Sequence, residues 1–588
     1  MAGSMAKLFK EAFKEAGLEL PKPEPRRPLP PKKADSARPA TPSGPMPSSQ
    51  KPRRPEGARS RPLSMGQSKQ EKPLNTSAYS NGMPGATNGQ AKTVQPQAQP
   101  DYHLSLQPES TVKLANGAAL AISKRVTPRF DGRRCMMVEV PAADPDHDLK
   151  IGIDFGTSST KIVIADKQQD KAFAVPFLEK PGVERYLLPG IIFKTNDYHL
   201  EEQGKPYRDL KLELLNETVS NEAMVHATAF LALAIRHARG WLFTEHAALY
   251  QKATIAWTLC IGMPSENPND PRLKPRFERI GLAAWLAAAM AAPLTYDLLK
   301  KCLQEAEQFQ GSDPQAPQID LEIRAVPELA AQVYGHVASE SFDPRGRNTF
   351  MMVDVGAGTV DSCLFHVHRD KKKKRWNFLM YTKAVEPHGT VNLHRHRLNW
   401  WERAIQRYSP DRLDLLKDLD NARYRTDCLS PIPGNLADYV SPAKLNFDSA
   451  DIHPDTQFLK QKVKYQVFFQ TYAEARNQQH LQAEDLTDMP TFLCGGGMRM
   501  PFYQQLKGEL DKPAPNARWL RAKRMELSKP RKMLAPGLPA EDYDRLSVAY
   551  GLGMMDFGIL EQSMGAALPT QYLEKLHTED SFVSKDMV

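Results

Sequence analysis

The chain has 588 residues, of which 41% are apolar and 25% charged, with a formal net charge of +9. This length exceeds what one hydrophobic core organises, so two or more domains are expected, and the composition is that of a soluble globular protein. The longest apolar run, residues 280–294, is shorter than the ~18 residues of a membrane span, which excludes a transmembrane segment; it is predicted to be a buried helix.

The cysteines and the N-terminus indicate a cytoplasmic location. The six cysteines are scattered without metal-ligand or CxxC spacing, so they are expected to be buried thiols in a reducing compartment. No N-terminal stretch has the apolar core of a signal peptide.

The positive charge is concentrated at the start of the chain. Residues 1–100 hold ten Lys and seven Arg against seven acidic residues, a balance of +10, which leaves about −1 for the remainder. This argues against a nucleic-acid-binding face on the folded part. Residues 21–100 are rich in Pro, Ser, Gln and Gly and have few large apolar side chains, so residues 1–100 are predicted to be a disordered tail.

A short amphipathic helix is predicted at residues 6–17 of this tail, because five apolar residues fall on one helical face: Leu8, Phe9, Ala12, Phe13 and Ala16. Such a helix could dock on a protein partner or a membrane surface, or it could form transiently with no partner. We expect a protein partner to bind through this helix and the basic tail.

Residues 101–148 are predicted to form a small β extension. Short β-like pieces occur at 111–114 and 118–122, on either side of the hairpin-turn signal Asn116-Gly117, and at 135–140. We expect the extension to pack on the domain that follows it.

A glycine turn between two strands is the first motif with chemical content. The apolar runs Lys150–Asp154 and Lys161–Ala165 predict strands buried on both faces. Successive N–H groups in the turn between them form an anion-binding nest. The donors are the backbone N–H groups of Gly156, Thr157 and Ser158, and the hydroxyl groups of Thr157, Ser158 and Ser159 add to them. Asp154, at the strand end, supplies a carboxylate where a phosphate-bound Mg²⁺ would retain its waters.

The same motif of strand, glycine turn and strand recurs about two hundred residues later. The apolar runs Phe350–Asp354 and Ser362–Val367 flank a second glycine turn that ends at Asp361. Its donors are Gly356, Ala357, Gly358 and Thr359. Two copies suggest a duplicated domain with a ligand held between the halves. The basic run 368–375 is predicted to be a solvated hairpin turn, and residues 405–480 are predicted to be helical.

Three further segments complete the pattern. The strand Thr491–Cys494 is followed by a turn of three glycines and by a helix that Pro501 opens. The three glycines are Gly495, Gly496 and Gly497. Helices are also predicted at 327–334 and 547–553.

Together these motifs resemble the two phosphate motifs, the adenosine motif and the two connecting helices of the actin, sugar-kinase and heat-shock ATPase superfamily. The ATPase domain of the DnaK-type, seventy-kilodalton heat-shock chaperones is the most similar branch. The resemblance implies a duplicated α/β actin-like fold with two lobes around a nucleotide cleft. Residues 149–345 would form the first lobe, residues 346–560 the second, and residues 561–588 a C-terminal tail.

The resemblance also implies ATP or ADP with Mg²⁺ as ligands and assigns roles to individual residues. Asp154 and Asp354 would hold the metal through water, while Asp361 and Glu328 would orient the attacking water. Lys211 would reach the γ-phosphate, although it also suits a surface lysine on an amphipathic helix. Glu328 likewise could merely complement a helix dipole. The remaining nucleotide contacts would be the Gly-rich loop at Gly389, the glycines at 495–497 and Arg499, stacked near the base.

Two departures from the chaperones bear on function. Their adenine-gripping Glu-Arg-Ala-Lys helix is not recognisable, and Lys460, Lys462 and Lys464 are only candidates for its role. Only 35 residues follow Gly553, so we expect no dedicated peptide-binding domain or lid.

The predicted function is a chaperone-like ATPase that slowly hydrolyses ATP, switches between open and closed lobes and regulates a protein partner. The alternatives are an actin-like filament-forming ATPase, a non-hydrolysing nucleotide sensor and a small-molecule (sugar) kinase.

Overall fold

The computed structural model describes residues 102–113, 145–264, 270–310, 321–337, 339–346, 348–370, 375–424, 428, 432–512 and 521–555. The predicted tails at 1–100 and 561–588, the helix at 6–17 and the β pieces at 118–122 and 135–140 lie outside these residues. The fold is mixed α/β with several sheets. None of the helices described is both long and apolar enough to cross a membrane.

The described strands, in chain order, are β1 Tyr102–Val112, β2 His147–Phe155, β3 Ser159–Asp166, β4 Lys171–Ala174, β5 Leu188–Pro189, β6 Ile192–Lys194, β7 Tyr198–His199, β8 Lys205–Tyr207, β9 Ile255–Met263, β10 Leu321–Pro327, β11 Thr349–Val355, β12 Val360–Asp370, β13 Arg375–Glu386, β14 Val440–Phe447, β15 Met489–Cys494, β16 Ala522–Met525 and β17 Met533–Leu534. The described α-helices are α1 Leu210–Glu213, α2 Asn221–Glu245, α3 Ala247–Tyr250, α4 Leu273–Ala288, α5 Tyr296–Gln310, α6 Glu328–Val337, α7 Thr390–Tyr408, α8 Leu413–Arg423, α9 Pro454–Phe458, α10 Glu474–Asn477, α11 Ala483–Leu486, α12 Pro501–Leu510 and α13 Ser547–Met554, and a π-helix spans Leu459–Ala473.

The first sheet has the order β10-β9-β2-β3-β4-β17, with β5 added beside β3. Strands β2, β3 and β4 are antiparallel, and β9 and β10 continue the sheet parallel to β2. The predicted strands at 150–154 and 161–165 are confirmed as β2 and β3. Side chains such as Ile151 and Ile162 are buried in one core with α2, α4 and α5, whereas Val163 and Ala165 on the opposite face are buried in a second core. Burial on both faces explains the unbroken apolar runs. The predicted buried helix at 280–294 is α4, which ends before Pro293.

The second sheet has the order β13-β12-β11-β15-β16. Strands β11, β12 and β13 are antiparallel, and β15 and β16 continue the sheet parallel to β11. The π-helix and α12 share its core. The predicted strands at 350–354, 362–367 and 491–494 are confirmed. So is the hairpin at 368–375, where Asp370 pairs with Arg375. Strand order and direction from β13 to β16 match those from β4 to β10 in the first sheet.

The predicted helices at 327–334 and 547–553 are α6 and α13, which pack against each other between the two sheets. Helix α13 contacts β2, β3, β4 and β9 of the first sheet, and α6 contacts β12 of the second sheet as well as β9 and β10 of the first. A side chain at Gly551 would collide with the backbone of Ala331, so glycine allows the two helices to approach closely. This helix pair therefore connects the two sheets through direct packing.

The β extension does not pack where the sequence predicts. Strand β1 pairs antiparallel with β14, with Tyr102 opposite Phe447, and both pack on α7 and α8. The described part of the extension, β1, thus lies on the later half of the chain, and the expectation that it packs on the following domain is wrong for these residues. The helical prediction for 405–480 is also wrong at β14. Half-buried Ala443, Leu445 and Phe447 alternate there with exposed neighbours, which is the period of a strand.

Four cysteines are buried, as predicted: Cys260, Cys302, Cys363 and Cys494. Cys428 differs because it is partly exposed. It lies at a cavity between the two sheets, and Cys135 is outside the described residues.

Candidate functional site

A cavity of about 590 Å³ lies between the two sheets and is lined by residues of both. All three predicted glycine turns open into it, as do the predicted acidic residues Asp154, Glu328, Asp354 and Asp361. This size is in the range of small-molecule and cofactor sites. The structure therefore brings residues from three distant parts of the sequence to one place.

The first turn joins β2 to β3 and presents Gly156, Thr157 and Ser158 to the cavity. The N–H of Gly156 donates to the carbonyl oxygen of Asp154 at 3.0 Å, which closes the turn. The carbonyl oxygen of Ser158 accepts from the N–H groups of Gly190, at 2.9 Å, and Cys428, at 3.0 Å. Contacts on both sides thus hold this turn in place.

The second turn joins β11 to β12, whose paired register places Asp354 opposite Asp361. The N–H of Gly356 donates to the carbonyl oxygen of Thr359 at 2.9 Å. The first N–H groups of α7 donate to carbonyl oxygens of this turn, with 2.8 Å from Val391 N to Ala357 O. The N–H groups of Ala357 and Gly358 are not used in these bonds, which makes them candidates for binding an anion.

The two turns come into contact across the cavity. A side-chain carbon at Gly358 would lie 2.6 Å from Thr157 Oγ1 and 3.0 Å from Leu212 Cδ2. Only glycine leaves room for this approach. One ligand group can therefore reach the donors of both turns at once.

Two buried lysines pair with acidic residues at the cavity wall. Lys211 Nζ lies 2.6 Å from Glu328 Oε1, and Lys161 Nζ lies 3.0 Å from Asp154 Oδ2. Lys211 lies on the short helix α1 and is buried rather than on the surface. Glu328 is the first residue of α6. Lys211 and Glu328, which were predicted separately as site residues, thus meet at the site, whereas Lys161 was not predicted.

The other two carboxylates have less compensation. Asp354 accepts a hydrogen bond from Gln332 Nε2 at 2.6 Å. Asp361 is buried, and its Oδ1 has no hydrogen-bond partner among the described residues. Burial raises the pKa of Asp354 to about 7, and burial together with the nearby Glu328 charge raises the pKa of Asp361 to about 8.

The pKa of Glu328 is likewise raised by burial, although the charge of Lys211 opposes the shift. Four carboxylates therefore share one cavity wall with only two lysine partners. Such a wall suits an additional cation. No group of three or more His, Cys, Asp or Glu within the described residues is placed to hold a metal ion directly.

The third turn approaches the carboxylates from the second sheet. Gly495 has φ of +89°, and a side chain there would collide with Asp354 Oδ1. Only glycine adopts this conformation without strain. The N–H of Gly495 donates to Asp544 at 2.9 Å. Arg499, which lines the cavity, directs its N–H groups to Asp542 and Asp544, with the shortest contact at 2.6 Å.

Several predicted contacts are not at the cavity. Gly389 lies behind the second turn, and its N–H donates to Gly358 O at 3.3 Å. Lys460 pairs with Asp451 at 2.6 Å and Lys464 with Glu509 at 3.0 Å, and neither they nor Lys462 line the cavity. These lysines are therefore not the counterpart of the chaperones' adenine contacts.

Other lining residues escaped the sequence reasoning. They include Lys161, Gln332, Cys428, Ile432, Gly434 and Arg545. Lys161 could have been suspected, because a lysine opposite a strand-end aspartate in a buried hairpin needs an acidic partner. Gln332 lies in the predicted helix at 327–334, where nothing in the sequence marked it as a site residue, and the others stand outside the recognised motifs. Comparison of the chain with models of known protein families, and with curated protein sequences, found no match to either.

Proposed function

We propose that this chain is an ATPase with a duplicated actin-like fold, similar to the ATPase domain of DnaK-type heat-shock chaperones. It would bind ATP with Mg²⁺ in the cavity and hydrolyse it slowly. The observation that carries the proposal is the meeting of two glycine turns, one from each sheet, at a cavity walled by four carboxylates.

The sheet topology supports the duplicated fold. Each sheet has three antiparallel strands followed by two parallel ones, and each places its glycine turn between the first two strands of that set. Helices α6 and α13 pack between the sheets. In the proposed fold the sheets are the cores of two lobes and the cavity is the nucleotide cleft. The first lobe would then span residues 149–345 and the second 346–560.

The chain's own residues suit phosphoryl transfer to water. That reaction needs charge neutralisation and positioning more than covalent chemistry. The turn N–H groups donate to the phosphates from two sides, and Lys211 supplies positive charge at the γ-phosphate. Asp361 and Glu328 accept hydrogen bonds from the attacking water. Its oxygen adds to the γ-phosphorus as the bond to the β–γ bridging oxygen breaks, giving ADP and inorganic phosphate.

The orphaned Oδ1 of Asp361 and the raised pKa values of Asp354 and Asp361 favour a cation at this wall. Asp154 and Asp354 would hold Mg²⁺ through its waters. When bound, Mg²⁺ would supply positive charge beside the phosphate oxygens and favour the ionised carboxylates.

Loss of the γ-phosphate removes a group that both turns hold. Because each turn belongs to a different sheet, hydrolysis would loosen the contact between the lobes, which is the usual form of a nucleotide switch. In this proposal a protein partner reads the difference between the ATP and ADP states, in a cytoplasmic setting, with the N-terminal helix and basic tail as its contact.

Nucleotide binding and phosphate release test the proposal. The parent should bind ATP in the presence of Mg²⁺ and release phosphate slowly. Asp354→Ala and Glu328→Ala should retain ATP binding but lose turnover by about a hundredfold, the scale of a positioned acid or base. Asp451→Ala, an exposed partner of Lys460, is the matched control and should hydrolyse at the parent rate.

If both site variants hydrolyse ATP as fast as the parent, these assignments are wrong. ATP binding without any phosphate release would instead indicate the non-hydrolysing sensor. Phosphate transfer to a sugar would indicate a kinase, and ATP-dependent sedimentation would indicate a filament.

A further inference from the structure

Arg545 is a cation at the cavity that no motif predicted. It ends a short 3₁₀ segment, Ala540–Arg545, two residues before α13 begins at Ser547. It lines the cavity together with the three glycine turns. Its guanidinium makes no hydrogen bond or ion pair with another residue in the described part of the chain.

The position of this guanidinium depends on the third glycine turn. A side-chain carbon at Gly496 would lie 2.8 Å from Arg545 Cζ and 3.0 Å from both Nη1 and Nη2. The three atoms are nearly equidistant from that point, so the guanidinium lies flat against the turn. A glycine at 496 leaves the space that the group occupies.

The neighbouring acids are already engaged by other donors. Asp544 accepts from Arg499, with its shortest contact at 2.8 Å, and from the N–H of Gly495 at 2.9 Å. Asp154 pairs with Lys161 at 3.0 Å. Burial and the charge of Arg499 lower the pKa of Arg545, and the charges of Asp544 and Asp154 offset this shift only in part.

Arg545 is partly buried. Withdrawing an unpaired charge from water is costly, and proteins retain one where a ligand completes the pair. The planar guanidinium presents parallel N–H donors that match the oxygens of a phosphate group. One flat face of the Arg545 guanidinium lies against the turn, so the N–H donors at its edge are the ones that such a ligand would meet.

We propose that Arg545 binds a phosphate group of the ligand directly, opposite the donors of the first two turns. This inference rests on the proposed function in taking the ligand to be a nucleotide. Arg545 then discriminates by phosphate content: it holds nucleoside di- and triphosphates and makes no contribution to a nucleoside. It also connects the ligand's phosphates to the segment that leads into α13.

The test compares ligands that differ only in phosphate content. Dissociation constants are measured by calorimetry for ADP, adenosine and inorganic tripolyphosphate, with Mg²⁺ present. Arg545→Gln should weaken the binding of ADP and tripolyphosphate ten- to a hundredfold, the scale of a charged hydrogen-bond pair. It should change the affinity for adenosine by less than twofold. Gly496→Ala should give a smaller loss of the same kind, because it displaces the guanidinium without removing its charge.

Arg524→Gln is the matched control, because Arg524 is exposed and pairs with Asp511 on the surface. It should bind all three ligands as the parent does. The melting temperature of ligand-free Arg545→Gln should equal or exceed that of the parent, because the substitution removes a partly buried charge that has no ion-pair partner among the described residues.

Equal losses for ADP and adenosine, or a lower melting temperature of the ligand-free variant, would assign Arg545 a structural role. Unchanged ADP affinity would overturn the inference outright. Tripolyphosphate binding that depends on Arg545, without nucleotide binding, would uphold the anion contact and refute the proposed function. A parent that binds neither tripolyphosphate nor nucleotide would refute both.

Discussion

The ligand-free protein should lose stability as the pH rises from about 4 to about 8. Burial raises the pKa of Asp354 to about 7 and that of Asp361 to about 8, whereas an unfolded aspartate titrates near 3.9. Between these values the folded protein binds more protons than the unfolded chain. The stabilising effect is therefore fully present below about pH 4 and is lost as the pH passes about 8.

An upper limit can be set on the loss of stability that Asp361 contributes. A tenfold change in proton affinity corresponds to about 1.4 kcal/mol. Moving its pKa from the ordinary value of 3.8 to about 8 sets an upper limit of roughly 6 kcal/mol on the loss. Because Asp361 and Asp354 titrate together and share this effect, we expect on the order of 3 kcal/mol between pH 5 and pH 8.

Thermal unfolding of Asp361→Asn and the parent, with EDTA and no nucleotide, measures this loss of stability with pH. The amide keeps the shape of the carboxyl and cannot ionise, so the variant should match the parent at pH 5 and melt a few degrees higher at pH 8. Asp488→Asn, which alters an exposed aspartate paired with Arg521, should follow the parent's pH dependence. If Asp361→Asn loses as much stability as the parent between these pH values, the carboxylate is not protonated in the folded protein and the reasoning is refuted.

Two other contacts between the sheets make testable predictions. The ion pair between Asp209, which precedes α1, and Arg395 of α7 should slow nucleotide release. We therefore expect Asp209→Asn, which also tolerates the left-handed backbone at this position, to raise the dissociation rate of ADP two- to fivefold in a stopped-flow assay; an unchanged rate would show that the pair does not restrain opening. Gly358→Ala should force the turns apart at Thr157 Oγ1. Calorimetry should then show that ATP binds about tenfold more weakly, or weaker still. Gly508→Ala, which places its methyl group in open space on α12, should leave binding unchanged, and equal affinities for both variants would show that the turns do not share a ligand.

The parts of the site that the sequence predicts are those with a strong local pattern. The strands around Gly156 and Gly356 are short apolar runs that end in aspartate, and the glycines between them have few alternatives to a tight turn. Helix α6 could be predicted for the same reason, since Pro327 precedes a regular apolar pattern. These patterns lie within short segments of the sequence, so they can be recognised without knowledge of tertiary contacts.

The parts that escaped depend on contacts between distant residues. Strand β1 pairs with β14 across more than 300 positions, as in the bond from Ser110 Oγ to Pro442 O, and a local pattern does not reveal which edge a strand will join. Arg545 shows the same limit for a side chain. Arg545 is without an ion-pair partner among the described residues because Lys161 and Arg499 pair with the neighbouring carboxylates, and only the tertiary structure shows this.

The bond from Gln332 to Asp354 extends the cavity's influence beyond its walls. Gln332 Nε2 lies on α6 and donates both to Asp354 Oδ2, at 2.6 Å, and to Ser547 Oγ on α13, at 3.1 Å. The hydroxyl of Ser547 in turn donates to the carbonyl oxygen of Asp544 at 2.7 Å, next to Arg545. A hydrogen bond to an ionised carboxylate is about twice as strong as one to a neutral group. Any ligand that changes the charge of Asp354 must therefore change how firmly this carboxylate is held to both helices between the sheets. A phosphate bound at Arg545 would act on the same end of α13, two residues before Ser547.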